Sequence, residues 1–153
     1  MPYTNSQAFA GRGSKLQYST NPPSVAYTEL AEVKTIAISG AKYDLADVTN
    51  MQSSNFREWL PTLADNGELS LAGNYIPNDT TQSDLLGFFN NATLVTWKIV
   101  LPAAPQQNFA TSLGTLTFKA YVSSRDINIP VDKEASVSIK LKITGQVTWT
   151  PGS

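Results

Sequence analysis

The chain has 153 residues, no cysteine, no histidine and a formal net charge of −1, a length that fits one domain with a proper core and no covalent staples. The missing residue types exclude disulfides, thiolate metal sites and every catalytic arrangement that runs through His or Cys. Charged residues are only 15%, against about 25% in ordinary domains; such a surface is easy to desolvate, which suits self-association and equally suits a plain low-charge soluble protein.

Residues 1–24 show no hydrophobic period; they hold Asn5, Gly11, Gly13, Ser14, Pro22 and Pro23, with Arg12 and Lys15 as the only charges. They are expected to form a flexible arm, either ordering against a neighbouring subunit or remaining a disordered tail, with residues 25–153 as a single β domain. Tyr27–Ser39 is rich in Val, Ile and Thr and reads as a strand, despite Glu29, Glu32 and Lys34 within it. Ala41–Asn55 is a long polar segment, expected as a loop; loops beyond ~12–15 residues in a compact domain are usually functional or disordered. Phe56, Trp59, Leu60 and Leu63 stand at helical spacing. Pro61 would break a helix interior there, so a strand is predicted, with Pro61 at a bulge or edge position. Asn66-Gly67 is then read as a tight hairpin turn into the strand Glu68–Tyr75.

Thr81–Asn90 is the predicted helix, opened by a Thr81/Asp84 cap signature. Leu85, Phe88 and Phe89 give it an apolar face that Leu86 widens. Three alternating strands follow, over Val95–Leu101, Leu116–Ser123 and Ser136–Trp149. The last would extend about 45 Å as one strand, with Gly145 as a bend where it crosses between two sheets. Pro102–Ser112 and Asp126–Lys133 read as linkers. The sum is a mainly β domain: a sandwich or barrel of about seven to eight strands with one short α-helix.

Chemistry is sparse. Gly11-Arg12-Gly13-Ser14 lacks P-loop spacing and no strand precedes it. Asp44 and Asp47 lack the spacing and closing Glu of a calcium loop. Glu29, Glu32, Glu58 and Glu68 are not paired by anything in the sequence, as a glycosidase would require. Lys119, Lys140 and Lys142 lie on exposed strand faces, but the overall balance is too acidic for phosphate-driven binding, and gatekeeping against stray strand pairing explains them better. No apolar run approaches the ~18 residues of a bilayer span, and the N-terminus lacks the apolar region of a signal peptide. No catalytic residue, cofactor site or metal site is expected.

An ordered set of segments is nevertheless distinctive: Glu29–Ile36, Asp47-Val48-Thr49, Arg57-Glu58-Trp59, Asp65-Asn66-Gly67-Glu68 and Gly73-Asn74, followed by the helix and three strands. Over roughly residues 10–150 this resembles the major tail tube proteins of long-tailed bacteriophages, which share their architecture with the ring proteins of contractile injection systems and type VI secretion. The resemblance implies a virion structural protein whose hexameric rings stack into the tail tube, the conduit for DNA ejection. Implied partners are further copies of itself and the tail-tip or initiator, tape-measure and tail-terminator proteins. DNA would pass through the lumen without specific binding, no membrane would be involved, and the protein would occupy the virion tail after assembly in the host cytoplasm. No additional immunoglobulin-like domain is expected after Ser153. In the family, the N-terminal arm and the long loop order on assembly and bridge neighbouring rings. Carried over, this points to Arg12, Lys15, Lys42, Tyr43, Asp44, Asp47 and Met51 as inter-ring contacts. Lys140 and Lys142 are expected to face a neighbouring subunit or the exterior, or to be offset by acids such as Glu29, Glu32 or Glu68. Two alternatives stand beside this: a tube or ring subunit of a tailocin or secretion particle, and a monomeric β-sandwich carbohydrate-binding module using Trp59, Trp97 and Trp149, the last two of which occupy core-facing registers.

Overall fold

A computed structural model describes residues 9–19, 26–103 and 112–152. Over these the chain forms β1 (Lys15–Ser19), β2 (Thr28–Glu29), β3 (Val33–Ser39), β4 (Lys42–Asp47), β5 (Trp59–Asp65), β6 (Glu68–Asn74), α1 (Thr80–Asn90), β7 (Val95–Val100), β8 (Gly114–Asn128) and β9 (Ser136–Pro151). Seven strands make one sheet in the order β2-β1-β7-β8-β9-β6-β3, and β4 pairs only with β5. Every ladder is antiparallel. The mainly β class with a single helix is borne out. The sandwich or closed barrel resolves as an open, curled sheet whose two edges are β2 and β3.

The curl follows from the pattern of side chains. Leu16 and Tyr18 of β1, Val95, Trp97 and Ile99 of β7, Phe118, Ala120 and Val122 of β8, Val137 to Ile143 at alternate positions of β9, and Leu69 and Leu71 of β6 form one buried cluster with Leu85 of α1. Alternate residues of a strand share a face, so a single sheet buries its whole apolar face only by curling around the helix. The Trp97 indole donates to the Ala120 carbonyl at 3.3 Å within this core. Tyr18 meets Phe88 of α1 edge-on at 5.6 Å and donates to the Asp84 carboxylate at 2.7 Å. Burial first, and the adjacent carboxylate second, hold this phenol above its usual range.

Several expectations are corrected here. The arm does not include residues 15–19, which form β1 and contribute Leu16 and Tyr18 to the core; five residues are too few for their alternation to stand out. Residues 1–8 and 20–24 of that arm lie outside the described residues, as do 104–111 of the first linker. Asp126–Asn128 belong to β8 and not to a linker. β9 does not cross between sheets; Gly145 (φ 79°) sits at a bulge, where Thr117 opposes Thr148 but Lys119 opposes Thr144. Trp149 is half exposed rather than core-facing, its ring lying over Gly114, where any Cβ would collide with it.

The helix is capped two residues earlier than expected. Asp79 is the N-cap and accepts from Thr81 N at 3.1 Å; a carboxylate is the stronger acceptor for an orphan amide. The Thr81 hydroxyl, freed from capping, donates to Asp79 at 2.9 Å and accepts from Ala31 N at 3.3 Å. Of the predicted apolar face, Leu85 is fully buried and Phe88 packs on the core, while Leu86 and Phe89 stay partly exposed, at 38% and 43%. Asp79→Ala is expected to lower unfolding free energy by ~1 kcal/mol, the usual worth of such a cap; an unchanged urea midpoint contradicts this.

Candidate functional site

The polar segment 41–55 is only partly a loop: Lys42–Asp47 form β4, and residues 48–55 belong to the connection that follows. Ser39 opposes Glu68 in the β3–β6 ladder, and Lys42 opposes Asp65 in the β4–β5 ladder. The two registers run on continuously, so β3-β4 and β5-β6 are the two legs of one long hairpin. Its tip lies at residues 48–58, between the last pair, Asp47 and Trp59. Asn66-Gly67 is therefore a kink within one leg and not the hairpin turn. Across from it lies Gly40, and both glycines have positive φ, 85° at Gly40 and 79° at Gly67. A kink and a turn make the same local demand for a left-handed residue, which is why the dipeptide misled. Strand β5 and the bulge are as expected, with the register slipping between Tyr43 and Leu45, and Leu45 opposite Pro61.

The kink is braced. Asp65 Oδ1 accepts from Gly67 N at 2.8 Å, and Lys142 Nζ of β9 reaches both Asp65 oxygens at 3.0 Å. Asn66 Nδ2 donates to the Gly145 carbonyl. The Gly67 amide first, and Lys142 second, hold the Asp65 carboxyl below the usual range.

The tip is tied by residues that are far apart in sequence. Val48 N donates to the Glu58 carbonyl at 2.9 Å, and Glu58 N donates to Thr49 Oγ1 at 2.8 Å. Asp47 Oδ1 accepts from Thr49 N at 3.0 Å, Arg57 lies 3.7 Å from Asp47 Oδ2, and Ser53 Oγ donates to Glu58 at 2.6 Å. The Asp47-Val48-Thr49 and Arg57-Glu58-Trp59 segments are thus two halves of one clasp. Hydrogen bonds from Thr49 hold Asp47 below the usual carboxylate range. The folded pKa is depressed, so Asp47 supports the clasp at any pH above its unfolded value, near 4, and that support is lost as pH falls through the folded value. Amide exchange over 47–58, corrected for intrinsic rates, is expected to accelerate below about pH 4 while β7–β9 stay protected; unchanged protection at the tip contradicts this.

The opposite end of the same ladder has its own fastening. Glu32 is in the left-handed region (φ 60°). Its carbonyl accepts from Asn74 N at 3.0 Å, and its carboxylate accepts from Asn74 Nδ2 at 2.8 Å. A Cβ on Gly73 would strike the Glu32 carbonyl. This accounts for the Glu32 and Gly73-Asn74 segments as one joint.

The hairpin carries many exposed apolar side chains: Tyr43, Leu45, Val48, Met51, Phe56, Trp59, Leu60 and Leu63. Met51 is fully exposed, at 102%. An isolated two-stranded ribbon is marginal in water, and a clustered apolar surface of this kind marks an interaction site. Of the predicted contact residues, the structure gathers Lys42, Tyr43, Asp44 and Asp47 on β4 and Met51 at the tip. Arg12 and Lys15 lie elsewhere. Arg12 is in a turn that, with Val33–Ile36 of β3, lines a groove of about 660 Å³; Lys15 pairs with Glu29 at 3.6 Å. Sequence reasoning missed Leu45, Phe56, Trp59, Leu60 and Leu63. The alternation of Tyr43 with Leu45 was the available signal.

Lys140 opposes Ser70 and Lys142 opposes Glu68 across the β6–β9 ladder. The acid that pairs with Lys142 is Asp65, which was not among those expected; Glu29 is engaged by Lys15, and Glu32 by Asn74. Trp59 lies on the hairpin, Trp97 in the core and Trp149 at the far end of β9, so the three build no common sugar platform. Among the described residues no group of three potential metal ligands occurs, and no helix is long and apolar enough to cross a membrane.

Comparisons with known proteins bear on this arrangement. Among solved structures, the fold is similar to the SPP1 tail tube protein, with a TM-score of 0.70 and 15% identity over 94% of this chain and 80% of that one. A subunit from the tail of an empty gene transfer agent particle, solved with C6 symmetry, gives 0.71 and 19% over 94% and 99%. A chain of the anti-feeding prophage baseplate gives 0.73 and 10% over 97% and 98%. A search by sequence among curated proteins finds no match. Residues 9–150 match the family described as lambda phage tail tube protein, and the chain belongs to that family.

Proposed function

We propose that this protein is the subunit of a phage tail tube: hexameric rings of it stack into a hollow conduit through which DNA leaves the virion. The observation that carries this reading is the β4–β5 hairpin, an apolar ribbon with no covering partner among the described residues, in a chain of the tail tube family. Burying one large apolar side chain is worth roughly 1.5–3 kcal/mol, so docking several on a neighbouring copy readily offsets the entropy of association. The open sheet edges β2 and β3 are available for pairing between subunits within a ring. The similar tube and tail structures, one of C6 symmetry, support six subunits per ring.

In this reading Lys42, Tyr43, Asp44, Asp47 and Met51 contact the adjacent ring, and Arg12 and Lys15 contribute from beside β3. Lys140 and Lys142 face a neighbouring subunit or the exterior; the Asp65 partner leaves Lys142 little net charge for passing DNA. Tail-tip, tape-measure and terminator proteins complete the tail, and the subunit acts without catalysis or cofactor. A second reading, the tube of a contractile injection particle, is supported by the comparable likeness to the anti-feeding prophage chain; the family match favours the phage tail. Negative-stain microscopy of the purified protein tests the tube reading. Hollow tubes or rings are expected, and a monomer at every concentration refutes it.

A further inference from the structure

The molecule has a second exposed apolar projection, at the other end of the same strands. The hairpin leaves the sheet where Ser39 opposes Glu68, whereas residues 129–135 connect β8 to β9 where Asn74 opposes Ser136. Within that connection Ile129 is 72% exposed and Val131 is 106% exposed. The connection is fastened: Tyr75 N donates to the Ala135 carbonyl at 2.9 Å, Lys34 Nζ lies 2.7 Å from Glu134, and Pro130 has a fixed φ. Its apolar side chains are therefore presented on a firm knob, at little ordering cost on binding.

We propose that this knob, Ile129-Pro130-Val131, is the receptor for the hairpin tip of a second copy of this chain in the next ring. The inference rests on the tube reading and names the surface that completes it. Three features single out a second copy as the occupant. The two projections lie at opposite ends of one strand pair, so contact between them is heterologous and repeats without closing, as stacking requires. Asp47, Thr49 and Glu58 satisfy one another in the clasp, and Met51 and Phe56 stand exposed beside it, the large apolar side chains of an otherwise polar tip. Met and Phe are adaptable and large, and the knob is small and rigid, so one can wrap the other.

The chain contains no cysteine, so introduced thiols are unique. Met51→Cys and Val131→Cys subunits are mixed, assembled and treated with a short bis-maleimide; the double variant is treated in parallel. The mixture should give a covalent dimer that neither variant gives alone, and the double variant should give a ladder extending well beyond six subunits. Val131→Asp should raise the concentration needed for tube formation by ~tenfold or more with an unchanged Tm, because this side chain is in water in the monomer. Tubes seen by microscopy without the mixed cross-link, or with Met51→Cys coupled instead to Phe89→Cys on the helix, overturn this pairing and leave the tube reading standing. Failure of the unmodified chain to form rings or tubes overturns both.

Discussion

A variant lacking Lys42–Asp65, with Ala41 joined directly to Asn66, is expected to fold as a monomer and to form no tubes at any concentration. The excision is clean because Ser39 already pairs with Glu68, and Gly40-Ala41-Asn66-Gly67 can close the shortened β3–β6 hairpin as a four-residue loop, a common hairpin length. None of the excised residues belongs to the buried cluster. The body loses the Asp65–Lys142 ion pair, half exposed and worth little, and the part-buried hydrogen bond from Gly67 N to Asp65, worth about 1 kcal/mol, so Tm should fall by a few degrees. Assembly, by contrast, loses the whole apolar ribbon and should be abolished, not weakened. Sedimentation velocity together with thermal unfolding reads both quantities. Tubes from this variant would show that stacking runs through another surface.

Gly67→Val is expected to damage folding and assembly together. The left-handed conformation alone costs a side chain ~1–2 kcal/mol, more for a β-branched one. A Cβ at this position would also drive into the Ser39 carbonyl and against Gly40, backbone atoms held in the β3–β6 ladder. The strand must shift, which disturbs the Asn66 contact to β9 and re-aims the hairpin. Gly40→Ala is the informative comparison. Its added carbon would meet only Gly67 Cα, at 3.5 Å, so it bears the conformational cost without the collision. Denaturant unfolding should show Gly67→Val as clearly the more destabilised; equal stability of the two variants would contradict the account of the kink.

How legible this molecule was depended on where each side chain is buried. β7, β8 and β9 were plain because their apolar residues alternate against a core within the same chain. The helix was plain for the same reason, although Asp79 displaced Thr81 at its cap. The hairpin was not. β4 has no buried face among the described residues, so Tyr43 and Leu45 sat among Lys42, Asp44 and Asp47 and read as a polar loop. The family segments were recognisable as text before their physical meaning was visible. Asp47-Val48-Thr49 and Arg57-Glu58-Trp59 clasp each other at the tip, and Glu32 and Gly73-Asn74 lock the other end, through hydrogen bonds that leave no periodic trace. Ile129 and Val131 looked like linker residues because nothing among the described residues covers them.

The measurement that bears most directly on the central claim is a cryo-electron microscopy reconstruction of the purified chain at high concentration. The account predicts a hollow tube of stacked six-subunit rings, with the β4–β5 hairpin of each subunit buried against the adjacent ring. A reconstruction in which that hairpin remains in solvent while the tube is intact, or a solution containing only monomers, would contradict it.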